Sequence, residues 1–455
     1  MSCFEIKGKM TARLPKSATH PVIAEFLKNF TVGVEWDVSF GADDSAFILG
    51  SAEPIPSDGE DYCLNVTPDG VAIAGSTYAG LMRGFVTLLS EIFCTGFEQY
   101  AIECKLEKAT PKIGFRSVHI CVFPETKLDF LRKVVRMSVM GKYSHLIIEF
   151  WGTLKMECFD LLGWKGAYTK AQIKEVFDEV RAFGVEIIPF FQHWGHASLS
   201  RGGASGKHVV LDQDIRYEYL YRPHSGGWVW DFKNPATLEL LKAARDELCE
   251  LCGEGEYFHI GCDEAEHLKT VEQAKEVAEH INTVAADLKL KGRRAIVWGD
   301  MLLCKSDFKP GNQYDCNSSA DVANALVDAL SRDIIIADWQ YDVTEGLIET
   351  SKRFKDKGFD VLCCPFDKRT NTALCVDSVV EYGLYGFMKT TWHTLHSSLL
   401  IQVLQSGWGS YEGKYDPGYR PFSAMVDRGA GILRKLSPSG GEYLKSGWKE
   451  EQINI

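Results

Sequence analysis

At 455 residues the chain exceeds one ordinary domain, and its apolar share of 45% and charged share of 25% are those of a globular protein. A formal net charge of −12, with no basic run interleaved with aromatics, argues against nucleic acid as a partner. No stretch is long and apolar enough to span a bilayer, so no membrane partner is expected, and the opening MSCFEIKGKMTARL lacks the apolar run of a secretion signal.

The fourteen cysteines are scattered through apolar stretches (Cys121, Cys262, Cys304, Cys363 and Cys364 among them), which reads as buried thiols and predicts a cytoplasmic protein. In chain order, residues 1–110 read as a small α/β domain. Strand-like runs TVGVEW, AFILG, YCLNV and VAIAG are followed by the helical YAGLMRGFVTLLSEIF, with a turn at Pro68-Asp69-Gly70. From about Pro111 to residue 455 the pattern changes. Eight apolar runs (RSVHICV, SHLIIEFW, VEIIPFF, EYFHIGC, RAIVWGD, DIIIADW, DVLCCPF and LYGFMKTTW) alternate with amphipathic helices such as TKAQIKEVFDEVRAFG and NPATLELLKAARDELCELCG. Eight βα units predict a closed (β/α)8 barrel, a TIM barrel of class α/β. A doubly wound sheet is the alternative, but no glycine-rich phosphate fingerprint supports it.

Catalytic groups of such barrels sit at the C-terminal ends of the strands. That rule selects Gln192 to His196 after strand three, Cys262-Asp263-Glu264 after strand four, and Trp151, Trp298, Trp339 and Trp392 after strands two, five, six and eight. A long connection, roughly Gln192 to Asn234, also lies on this face. Each tryptophan reads about equally as core or as the flat wall of a sugar pocket. Adjacent Asp263 and Glu264 cannot readily face each other across a sugar, as the paired carboxyls of an ordinary retaining glycosidase do. They suit a mechanism in which the 2-acetamido oxygen of the substrate attacks the anomeric carbon, one carboxylate orienting that group and its neighbour protonating the leaving oxygen.

In this context Phe258-His259-Ile260-Gly261-Cys262-Asp263-Glu264-Ala265 resembles the H-x-G-x-D-E motif of family 20 glycoside hydrolases, the β-N-acetylhexosaminidases. Residues 60–90 resemble the small domain that precedes the barrel in that family, and IIPFFQHWGHASL resembles its third strand with the pocket histidine at His196. The resemblance implies a retaining, exo-acting enzyme that removes terminal N-acetylhexosamine from glycans or glycosides without metal or organic cofactor. Asp263 would orient the acetamido group and Glu264 would be the general acid/base. His196, Trp298, Trp339, Tyr341 and Trp392 would bind substrate. Several family positions differ. The strand-one arginine is replaced by the segment around Pro124, the strand-three aspartate by Gln192, and the carboxylate after the strand-eight tryptophan by His393 and Thr394. CCPFDKRTN has no tyrosine, which makes Tyr341 the substitute and leaves Glu149, Arg201 and Lys207 as candidates for the 3-, 4- and 6-hydroxyls.

Other readings carry less. His193, His196 and Asp263 lack the third His or Cys of a metal site, Cys249 and Cys252 lie in a helical run, and His259 reads as a satisfied core histidine. Two alternatives remain: a barrel glycosidase with a protein carboxylate nucleophile, and a carbohydrate-binding protein without turnover.

Overall fold

The computed structural model describes residues 2–198, 207–308, 319–392 and 397–416; Arg201, His393 and Thr394 lie outside them. The N-terminal part carries strands β1 (Cys3–Lys7), β2 (Lys9–Leu14), β3 (Glu35–Phe40), β4 (Ala46–Gly50) and β5 (Tyr62–Thr67). It continues with β6 (Gly70–Gly75), β7 (Phe93–Gly96), β8 (Gln99–Glu103) and β9 (Lys105–Ala109). Six strands form one sheet in the order β3-β2-β4-β6-β5-β9, and β1-β8-β7 form a second. Pro68 and Asp69 close the β5–β6 hairpin, in which Thr67 pairs with Gly70. The helix Tyr78–Glu91 is capped by the Thr77 side chain and buries its apolar face against β5 and β6. Of TVGVEW only Glu35 and Trp36 join a strand. Thr31 instead ends the helix Pro21–Phe30, and Gly33 bends the chain at φ +90°.

Eight parallel strands close the barrel: β10 (Phe115–Val122), β11 (His145–Phe150), β12 (Glu186–Phe190), β13 (Tyr257–His259), β14 (Arg294–Trp298), β15 (Ile335–Trp339), β16 (Asp360–Cys364) and β17 (Gly386–Thr390). The circle is completed where Phe115 to His119 pair with Gly386 to Thr390. The expected TIM barrel is present, with every strand where its apolar run lies. Strands covered on both faces are largely apolar, and β10 is buried along its whole length even though it carries Arg116, Ser117 and His119. The intervening helices start at real caps. Thr169 and Gln172 form a capping box for Lys170–Arg181, and Asn234 caps Pro235–Cys252 with Pro235 in its first turn. Cys249 and Cys252 lie on this second helix.

The N-terminal sheets meet the barrel through segments that lead into strands. Tyr78 Oη donates to Ala182 O (2.7 Å) just before β12. Lys142, just before β11, is buried against the rings of Tyr62, Trp408 and Tyr411. This places the N-terminal part near the barrel's floor, where strands begin, and leaves the mouth to the loops. Among the described residues no helix is long and apolar enough to cross a membrane.

Candidate active site

The loop after β13 carries the two adjacent carboxylates. β13 itself ends at His259, but Ile260 N still donates to Ile296 O and Trp298 N to Gly261 O, so the barrel's ladder extends past the strand. Gly261 (φ +68°) is then obligatory, because a Cβ there would lie 1.9 Å from Gln192 Oε1. Gln192 uses the resulting proximity. Its Oε1 accepts from Cys262 N (2.9 Å) and its Nε2 donates to Asp263 Oδ1 (2.6 Å). A carboxylate at position 192 could not make the second bond. Gly195 is likewise pressed against Asp263 O, which a Cβ would approach to 2.2 Å.

His196 joins the pair. Its Nε2 lies 2.9 Å from Glu264 Oε2 and 3.4 Å from Asp263 Oδ2. Asp263 is buried, whereas the Glu264 side chain remains 36% exposed. His193 takes no part: it turns outward, its Nδ1 on Phe191 O and its Nε2 beside Arg245. His196, Cys262, Glu264 and Trp392 all have positive φ (40° to 75°), a concentration of backbone strain at strand ends.

Asp300 and Trp228, neither of which was singled out for the site, complete the surroundings of Glu264, and Lys207, a candidate for the sugar hydroxyls, stands beside Asp263. Asp300, two residues past Trp298, accepts from Glu264 N at Oδ2 (2.8 Å) and from Trp339 Nε1 at Oδ1 (3.3 Å). Burial and the neighbouring Asp263 push its carboxyl well above the usual carboxylate range. Trp228, from the long connection, donates to Glu264 O (2.7 Å), and its ring lies 4.3 Å from that of His196. Lys207, from the same connection, sends its ammonium to within 3.0 Å of Glu149 Oε1 and 3.6 Å of Asp263 Oδ2. The signal for Asp300 was its place at a strand end and for Trp228 no more than membership of that connection, whereas Lys207 was already a candidate for the sugar hydroxyls.

The tryptophans divide. Trp298 is fully buried among His119, Phe190, His259 and Trp392, so it is a core residue beneath the mouth. Trp392 is half-buried and donates from Nε1 to Tyr341 Oη (2.7 Å), while Tyr341 stacks on Trp339 (5.1 Å between rings). Trp339, Tyr341 and Trp392 thus form one continuous wall. His259 is buried in the core with Nδ1 accepting from Gly261 N, but its Nε2 has no partner among the described residues, so only half of the satisfied histidine expected is present there.

His119 Nε2, Cys121 Sγ and Glu149 Oε2 lie within 4.8 Å of one another, a donor set of the kind that binds metal. Two features oppose that use. Burial and Glu149 push the Cys121 thiol well up, keeping it a donor to Glu149, and the Lys207 ammonium already stands beside the carboxylate. Against the upward pull of burial, Lys207 and His119 hold the Glu149 carboxyl well below the usual range.

Residues 151–369 match the catalytic domain of glycosyl hydrolase family 20. That stretch, just under half of the chain, carries the pattern of the family's catalytic domain. The match includes His196, Asp263, Glu264, Trp298, Trp339 and Tyr341, and begins after Glu149. Hexosaminidase D of Bos taurus is 27% identical over 215 residues, 44% of this chain and 55% of that protein. A beta-N-acetylhexosaminidase of Cellulomonas fimi is 23% identical over 351 residues, 69% of this chain and 66% of that protein. The chain therefore spans about half the length of the hexosaminidase D relative. In fold, it is similar to the family 20 exo beta-N-acetylglucosaminidase of Vibrio harveyi solved with N-acetylglucosamine. That likeness has a TM-score of 0.65 and 13% identity, and covers 95% of this chain and 75% of that one.

Proposed function

We propose that the protein is an exo-acting, retaining β-N-acetylhexosaminidase that removes terminal N-acetylhexosamine from glycans or glycosides by substrate-assisted catalysis. The observation that carries this reading is the fixed pair of carboxylates: Asp263 is held from one side by Gln192 and from the other by His196, which also reaches Glu264. Glu264, the more exposed, protonates the leaving oxygen and later activates water. Asp263, immobile and buried, orients the acetamido group and stabilises the positive charge that develops on its nitrogen during ring closure. His196 holds the two carboxyls in register, Trp339 and Trp392 wall the sugar, and the Tyr341 hydroxyl, which accepts from Trp392, has its own proton to donate to the acetamido oxygen. Trp298 supports the wall from beneath. Residues 1–110 serve as a supporting domain and 111–455 as the catalytic one. The buried thiols of Cys121, Cys262, Cys363 and Cys364 support a cytoplasmic location.

Glu149 is the carboxylate that a covalent mechanism would require, but its pairing with the Lys207 ammonium and with His119 makes it a weak nucleophile. Matched aryl glycosides with and without the 2-acetamido group decide between the mechanisms. Cleavage of the acetamido sugar, inhibition by its thiazoline analogue, and weaker inhibition of Asp263→Asn are expected. Rapid cleavage of plain glucosides, or a fluorosugar trapped on a protein carboxylate, would move the assignment to the covalent mechanism. Binding without cleavage would leave a carbohydrate-binding protein.

A further inference from the structure

Lys207 and Glu149 are 1% and 2% exposed, and the segment that follows β10, Phe123 to Lys127, contains no arginine. The Lys207 ammonium is paired with Glu149 Oε1 at 3.0 Å and lies 3.6 Å from Asp263 Oδ2, and no other described protein atom accepts from it. Burial opposes the charge, but Asp263 and Glu149 hold the ammonium above its ordinary value, so it remains a cation with three N–H donors. Its surroundings are ring faces: Trp392 at 5.0 Å, Phe190 at 5.4 Å and Trp151 at 5.5 Å. Aromatic faces stabilise a cation but accept no strong hydrogen bond, so with Glu149 taking one N–H the ammonium keeps further buried donors to place, which is costly. A group that both accepts from Lys207 and donates to Glu149 would satisfy both residues at once. A sugar hydroxyl has that chemistry.

The order of the groups says which hydroxyl. His196 stands between Glu264 and Asp263, and Lys207 stands between Asp263 and Glu149. The series therefore runs Glu264, Asp263, then Lys207 with Glu149. On a 2-acetamido sugar the matching series is the anomeric oxygen, the C2 nitrogen and the C3 oxygen. We propose that Lys207 and Glu149 form the subsite for the 3-hydroxyl, and that the enzyme selects sugars with that hydroxyl present and unsubstituted. Because the N-acetylglucosamine and N-acetylgalactosamine configurations differ only at C4, this pair reads what they share. The inference rests on the reading of Asp263 and Glu264 given above.

The test compares nitrophenyl N-acetylglucosaminide with its 3-deoxy, 4-deoxy and 6-deoxy forms, on the wild type and on Lys207→Met and Glu149→Gln. The wild type should lose roughly 10- to 100-fold in kcat/KM on the 3-deoxy sugar, the size of a hydrogen bond to a charged group. In both variants the parent substrate should fall towards the 3-deoxy value, collapsing that ratio, while the 4-deoxy and 6-deoxy ratios stay as they were. Equal wild-type rates on parent and 3-deoxy sugars would overturn the proposal even if neither variant folds. So would a 3-deoxy ratio unchanged in folded variants, which is the result if Lys207 only neutralises Asp263 and Glu149. A wild type that cleaves no N-acetylhexosaminide would instead remove the underlying reading, and this one with it.

Discussion

At the floor of the barrel, Phe115 stacks on His145 (4.2 Å), Tyr257 packs edge-on against both, and Tyr257 Oη bonds Tyr385 Oη (2.5 Å). His145 Nδ1 lies 2.7 Å from Ser144 Oγ, and its Nε2 faces Glu186. At the mouth, one strand length away, the same barrel buries His119, Glu149, His259 and Trp298, and Lys207 joins them from the loop. Among the described residues, His119, His259 and Trp298 each keep a polar atom without a hydrogen-bond partner, and Lys207 and Glu149 have little beyond each other and Asp263. The floor is a polar cluster that satisfies itself, and the mouth is one that does not. Buried polar groups left open are costly in a fold and useful in a site, because a ligand can complete them. Stability and function are therefore divided along the barrel axis.

The comparison can be broken in graded ways. The largest effect should come from Glu264→Gln. Turnover on a natural disaccharide should fall by about 100- to 10,000-fold, the usual share of general acid catalysis, with an unchanged melting temperature because the side chain is partly exposed. Near-normal turnover would remove Glu264 from the role. Next is the contrast between two tryptophans. Trp298→Ala should cost about 3–5 kcal/mol of stability, as large core truncations do. Trp392→Ala should instead lower kcat/KM by roughly 30-fold, equivalent to about 2 kcal/mol of lost apolar contact with the sugar, with less effect on denaturant midpoint. If the two variants behave alike, the division between core and wall is wrong.

At the floor, Tyr257→Phe should cost about 1 kcal/mol in unfolding free energy, since it removes one hydrogen bond, and should leave kcat/KM unaltered. A kinetic defect there would mean that the floor communicates with the mouth. The smallest effect concerns pH. Burial, with the neighbouring Arg116, lowers His145 to about 3, so the folded state stays neutral at this position where the unfolded chain takes up a proton. The unfolded state thus binds more protons between pH 6.5 and about 3, and stability must fall as pH falls through that window. His145→Gln should flatten that part of a Tm-against-pH curve without changing neutral-pH activity. An unchanged slope would contradict the assignment.

How much of this was legible in the sequence follows the same division. The eight barrel strands were readable because burial on both faces leaves uninterrupted apolar runs such as DIIIADW and DVLCCPF. Asp263, Glu264 and His196 were readable because they directly follow such runs. TVGVEW misled because apolar residues at a helix exit resemble a strand until the bend at Gly33 is seen. Lys207 was readable only as one of three candidates for the sugar hydroxyls, and Trp228 was hidden. The return of the chain, with His208 N on Ala197 O, is what drives Lys207 into the barrel. Trp228 reaches Glu264 across 36 residues, a distance that no local pattern spans.

The left-handed backbone at His196, Cys262, Glu264 and Trp392 has a consequence for how this protein would change under selection. Side chains held there carry a conformational load of about 1–3 kcal/mol each, which glycine, or in part asparagine, would relieve. A directed-evolution campaign scored on heat resistance alone would therefore find its readiest gains at these four codons and disarm the enzyme while hardening it. Scored on turnover as well, the same campaign should leave those codons untouched and collect its gains in the N-terminal sheets and the outer helices.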